Sequence, residues 1–225
     1  MSQKLISTML SGKVVYSDKA DRRKERHLIL VLAVSDPEAA CGMLARVFGF
    51  EPRENDMMVF GNHAAVVVRI GAAPRGMLRM PLDHVAFSVN DADHARLQFI
   101  TRGGKLAKLF TPDGPEDIPE FWDHGVRFVF FDGPDGWPFE FCMKIGAVAG
   151  EGHDHFAIRK ADITTAITAL SNVGCIPVAQ HRLGSGERSV EVQFMALGSD
   201  MFEVFAEGPY PDIDAERGWI GLLPS

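Results

Sequence analysis

The chain has 225 residues, 46% of them hydrophobic and 24% charged, the balance of an ordinary globular protein. Lys and Arg number 23 against 30 Asp and Glu, a formal charge of −7, and with no basic run this excludes a protein that tracks nucleic-acid phosphates. The longest apolar run near the start, Leu28 to Val34, falls far short of the roughly 20 residues of a membrane span, so neither nucleic acid nor membrane is expected as a partner.

Residues 1–26 break every apolar stretch with polar residues and read as a weakly ordered arm without a signal peptide. Cys41, Cys142 and Cys175 are scattered and form no CxxC pair, which predicts a reduced, cytoplasmic protein. From residue 27 onward one layout occurs three times. HLILVLAVSD, LDHVAFSVND and HDHFAIRKAD each read as a strand that stops at an Asp: Asp36, Asp91 and Asp162. Such an Asp can cap the next helix by accepting a backbone N–H. A helix-period segment follows and ends at Gly49, Gly104 and Gly174, at distances of 13, 13 and 12 residues from the Asp.

Strand signals return after each helix. In the first unit MMVF and HAAVVVRIG flank a turn at Gly61-Asn62. In the second, KLAKLF is expected to be a strand, and GVRFVFF and WPFEFCMK flank Gly133-Pro134-Asp135-Gly136. In the third, CIPVAQ, RSVEVQFMAL and MFEVFAEG follow one another. The fold class is therefore α+β, with three tandem βαβββ modules over 27–80, 81–147 and 148–208 and a docking tail over 209–225 that contains Trp219, Ile220, Leu222 and Leu223. Residues 111–125, rich in Pro, Gly and Asp, read as a loop in which Trp122 and His124 are candidates for a lid.

Side chains on a strand alternate between faces. Val85 and Phe87 should meet the helices while His84 faces the other way. The same alternation sets Glu140 against Phe139 and Phe141, His155 against Phe156, and Glu203 against Phe202 and Val204. His84 and His155 each stand seven residues before the strand-ending Asp, and Glu140 and Glu203 each stand four residues after Gly136 or its counterpart Ser199. A curved sheet built from two such units would enclose two imidazoles and two carboxylates. That donor set suits one divalent ion, with Zn, Ni, Fe, Mn and Co all compatible, and it leaves the site about neutral. The first unit has Ile29 in place of the His and no Glu in its last strand, so it reads as metal-free. Its unpaired sheet edge predicts a homodimer, with a module or the tail covering the edge of a second copy. Two pairings are open: the second unit with the third, which has all four ligands in register, or the first with the second, with His27, His84 and Glu140 as ligands. Cys142 reads as a small buried residue. His63, His94, His153 and His181 read as surface residues, and Arg159 as a salt-bridge partner or a contact for an anionic substrate.

At DHVAFSVND, DGPDGWPFEF and HDHFAIRKAD the sequence resembles the vicinal oxygen chelate superfamily, which includes glyoxalase I, extradiol dioxygenases, methylmalonyl-CoA epimerase and the fosfomycin- and bleomycin-resistance proteins. The resemblance covers roughly residues 27–208. The order His84, Glu140, His155, Glu203, with separations of 56, 15 and 48, looks most like glyoxalase I. It implies a cupped mixed sheet around a metal and a small-molecule substrate that chelates the metal through adjacent oxygens. It also implies an enediolate-stabilising lyase or isomerase with Glu203 as base and Glu140 as its counterpart. Two alternatives are an extradiol-type iron dioxygenase of a catechol, using His84, His155 and Glu203, and a metal-free binding or resistance protein.

Overall fold

A computed structural model describes residues 28–54, 57–72, 82–147, 150–184, 189–206 and 218–222. The N-terminal arm, His27 and most of the tail lie outside the described residues. The first unit contains β1 (Leu28–Val34), α1 (Pro37–Met43), which runs on as a π-turn over Leu44–Phe48, β2 (Glu51–Pro52), β3 (Met57–Phe60) and β4 (His63–Arg69). The second contains β5 (His84–Ser88), α2 (Ala92–Thr101), β6 (Glu116–Ile118), β7 (Val126–Asp132) and β8 (Pro138–Lys144). The third contains β9 (Gly152–Arg159), α3 (Ile163–Asn172), β10 (Ile176–Leu183), β11 (Val190–Leu197) and β12 (Asp200–Phe205). One further strand, β13, spans Gly218–Leu222.

The three aspartates cap as their positions require. Asp36 accepts from the N–H groups of Glu38 and Ala39, Asp91 from that of His94, and Asp162 from that of Thr164. The helix ends differ in one case. Gly49 and Gly174 take the left-handed conformation, but after α2 it is Gly103, not Gly104, that does so. Gly104 is held by a different constraint: a Cβ there would lie 2.9 Å from the Phe99 carbonyl oxygen and 2.9 Å from Val47 Cγ1. KLAKLF is not a strand. A single bridge joins Leu106 to Phe131, and the chain then turns, with Phe110 N–H donating to Ala107 O. Thr111 Oγ1 accepts from Phe130 N–H and pins the turn beside β7.

Two sheets result, one of eight strands in the order β10-β11-β12-β9-β5-β8-β7-β6 and one of five in the order β13-β1-β4-β3-β2. The larger is two equivalent halves joined where β5 and β9 run antiparallel, and within each half the first strand pairs in parallel with the last, β5 with β8 and β9 with β12. The second unit is therefore paired with the third, and not the first with the second. In the smaller sheet β1 pairs in parallel with β4, while its other edge takes β13 in antiparallel register, Leu28 opposite Leu222 and Leu32 opposite Gly218. The edge from which a second copy was inferred is thus covered by the tail of the same chain, and it no longer calls for a homodimer.

The main core lies between the two sheets and the helices. Phe48, Phe50 and Phe60 of the first unit pack on Phe87, Phe139 and Phe141 of the second. Phe48 stacks on Phe141 at 5.5 Å, and Phe50 meets Phe87 edge-on at 5.3 Å. Contacts of this kind contribute about 0.5–1.5 kcal/mol each beyond area burial. His63 and His153 are not surface residues. Their rings stack at 5.0 Å between the first and third units, and Met201 N–H donates to His153 Nε2. His63 is buried and His153 is half-buried. The chain passes so closely here that a Cβ on Gly152 would overlap Asn62 Oδ1, which accepts from His153 N–H at 2.7 Å. No helix among the described residues is long and apolar enough to cross a membrane.

Candidate metal centre

The alternation of β5, β8, β9 and β12 decides what enters the cup. Val85, Phe87, Phe139, Phe141, Phe156, Ile158, Phe202 and Val204 join the main core. Their neighbours in sequence point the other way, towards a smaller cluster that includes Cys142, Ala157, Phe194 and Phe205. The registers then bring the four candidate ligands together. Ala86 stands opposite Glu140, and Ala157 opposite Glu203. Each Glu is therefore opposite the residue two places after its unit's His. Across the central junction His84 pairs with Ala157 and His155 with Ala86, so the two imidazoles lie diagonally over the seam.

Their atoms converge. His84 Nε2 lies 2.9 Å from Glu140 Oε2 and 3.7 Å from Glu203 Oε2. His155 Nε2 lies 3.5 Å and 3.2 Å from the same two oxygens. All four side chains are buried. His84, His155 and Glu203 also offer ligand atoms that lie within 4.8 Å of one another. Metal–ligand bonds of about 2.1 Å put neighbouring ligand atoms about 3.0 to 3.4 Å apart, and three of these four distances, 2.9, 3.2 and 3.5 Å, lie within or at the edge of that range. The Nε2 atoms of both histidines are buried and have no hydrogen-bond partner, although carboxylate oxygens stand close by. A buried ring nitrogen left so costs free energy that a cation between it and the carboxylates would recover. These residues therefore fit a divalent ion.

Behind each imidazole stands an aspartate that the sequence reading passed over. Asp83 Oδ1 is 2.8 Å from His84 Nδ1, and Asp154 Oδ1 is 2.9 Å from His155 Nδ1. A carboxylate only accepts, so Nδ1 carries the proton and Nε2 is turned towards the cup, the usual way of orienting a histidine ligand. Each aspartate meets a cation supplied by the other unit. Arg159 Nε lies 2.9 Å from Asp83 Oδ2, and Lys144 Nζ lies 3.5 Å from Asp154 Oδ2. Arg159 is thus a salt-bridge partner, held behind a candidate ligand.

Without an ion the charges balance internally. Burial lowers the pKa of His84, but Asp83 and Glu140 outweigh it and hold the ring up at about 9. Burial likewise works against charge on His155, and Glu203, Asp154 and Glu140 raise it well above its ordinary value. Burial pushes the Glu140 carboxyl up, and the two imidazoles hold it down at about 2. Cys142 lines the cup as a small buried residue, and burial raises its thiol well above the ordinary value.

The cup opens into a cavity of about 280 Å3. Trp122 lines it, at a left-handed φ of 55° that side chains rarely adopt, and Phe121 lines it beside Trp122. His124 is exposed and takes no part in the lining.

No protein-family model matches the sequence, and no curated protein matches it. Solved structures do. Glyoxalase I from Zea mays superposes with a TM-score of 0.59 at 12% identity, over 87% of this chain and 73% of that one. A triple mutant of 4-hydroxymandelate synthase from Streptomyces coelicolor superposes with a TM-score of 0.50 at 13% identity, over 82% of this chain and 72% of that one. The chain thus shares the fold of glyoxalase I and of 4-hydroxymandelate synthase. In that fold this chain places its candidate ligands at the seam between two matched halves, where each half supplies one His and one Glu.

Proposed function

We propose that the chain is a metal-dependent lyase or isomerase of the glyoxalase kind, acting on a small substrate that presents two adjacent oxygens. The observation that supports this most is the pair of buried, hydrogen-bond-free Nε2 atoms set against two glutamates. His84, Glu140, His155 and Glu203 would hold one divalent ion. That ion supplies Lewis acidity, which makes a C–H bond next to a chelated carbonyl more acidic.

The protein's own groups do the rest. Asp83 and Asp154 fix the two rings. Glu203 takes the proton from substrate carbon and returns it to the neighbouring carbon, and Glu140 holds the opposite side of the site. One carboxylate can serve both steps because burial keeps water away from the proton between them. Glu140 and Glu203 would offset the divalent charge, and because Glu203 keeps the proton it has taken, the net charge of the site would not change while the substrate is an enediolate.

A second reading has one observation in its favour. His84, His155 and Glu203 alone form a two-His, one-carboxylate set, the arrangement of iron oxygenases. Glu140 opposes it, lying nearer to His84 than Glu203 does. The two readings separate on protein purified without chelator. The lyase or isomerase predicts conversion of a hemithioacetal or a 2-oxo acid derivative with no oxygen uptake on catechols. Glu203→Gln should lower kcat by about 10²- to 10⁴-fold while metal stays bound. Oxygen consumption on catechols would establish the second reading instead.

A further inference from the structure

We infer that the substrate is an uncharged molecule with a flat aromatic body, held between two aromatic walls and reaching the ligand cluster through its two oxygens. This rests on the metal site proposed above and names what that site takes. One wall is Phe110, Phe128 and Phe130. Phe110 stacks on Phe130 at 4.6 Å, Phe128 meets Phe130 edge-on, and Phe130 itself meets the His84 ring edge-on at 4.9 Å. The other wall is Phe121, Trp122 and Phe194. Phe194 lies 5.2 Å from Phe121, 5.0 Å from Trp122 and 6.0 Å from the His155 ring. Each wall thus ends on one of the two histidines, and all six rings line the same cavity.

The charges select against an anion. Four carboxylates stand at the floor: Asp83, Glu140, Asp154 and Glu203. Arg159 and Lys144 neutralise two of them and are engaged by Asp83 and Asp154. Lys144 also lies over the Trp122 ring at 4.9 Å. A divalent ion neutralises the other two. The floor then carries no surplus positive charge, and Glu116 adds a negative one to the lining. Among the described residues no Lys or Arg lines the cavity. An anionic substrate would leave water for a low-dielectric site whose described lining offers it no Lys or Arg, whereas a neutral ring gains from burial against the two walls.

Calorimetric titration of the metal-loaded chain with four probes tests this. 1-Phenylpropane-1,2-dione is neutral and aromatic, phenylglyoxylate is its anionic counterpart, butane-2,3-dione is neutral without a ring, and the hemithioacetal of glutathione and methylglyoxal is an anionic conjugate. The aromatic dione should bind about tenfold or more tightly than each of the other three. Phe128→Ala and Phe121→Ala should each remove most of its advantage over butane-2,3-dione while the metal content stays unchanged. Equal or tighter binding of phenylglyoxylate or the glutathione conjugate by a metal-loaded chain would overturn the inference and leave the proposed metal enzyme standing. A chain that takes up no metal would instead remove the proposed function, and this inference with it.

Discussion

The first and second units share a strand order and a register but not a chemistry. In each, the first strand runs parallel to the last: Ile29 pairs with Ala64 and Val31 with Val66, as Val85 pairs with Phe139 and Ala86 with Glu140. In this register Val66 stands where the second unit has Glu140, and Ile29 where it has His84. The free edge of β5 meets β9 of the third unit, whereas that of β1 meets β13. A chelating face needs another unit across that edge to supply the remaining ligands, and among the described residues the first unit has a single strand there. Its corresponding face is apolar, with Ile29, Val31, Ala33 and Ala64 buried together. What remains is a mechanical role, because Phe48, Phe50 and Phe60 pack beneath the strands that carry His84 and Glu140. Fold and site are separable within one chain.

That division can be broken from either side. The largest effect is expected in the paired units, where Glu203→Gln removes the proposed base and turnover falls as stated above. In the first unit, Phe48→Ala should cost about 3–5 kcal/mol of stability, seen as a lower midpoint in urea, because it empties a fully packed position. Its metal stoichiometry in native buffer should not change, since no ligand is lost. Asp83→Asn keeps the shape behind His84 and removes the charge, and should weaken metal affinity about 10- to 100-fold in a competition with a coloured chelator. Lys144→Met should weaken it least, by about threefold, because the ammonium group is half-exposed and partly screened. If Asp83→Asn and Lys144→Met had equal effects, the two imidazoles would not be braced as the geometry indicates.

Much of this was legible in the sequence, for reasons that can be located. The Asp caps, the three strand–helix units and the outward direction of His84, Glu140, His155 and Glu203 all follow from periodicity, which alternation along a strand transmits faithfully. Asp83 and Asp154 were missed because strict alternation sends the residue before a ligand to the opposite face. Asp83 escapes that rule by preceding β5. Asp154 escapes it because the β5–β9 register shifts between Ala86 and Phe87, which leaves it unpaired. The signal was present all the same, as an Asp-His pair in both LDHVAF and HDHFAI. Phe121 was missed because irregular backbone has no period to read. Residues 105–110 read as a strand because their apolar side chains serve β7 and the cavity wall.

The most direct test is the metal content of the whole chain by elemental analysis, before and after dialysis against a divalent salt. The wild type should hold about one divalent ion per chain, as should Ile29→Ala, while His84→Ala together with His155→Ala should hold essentially none. An empty wild type, or a double variant that retains its ion, would contradict the account.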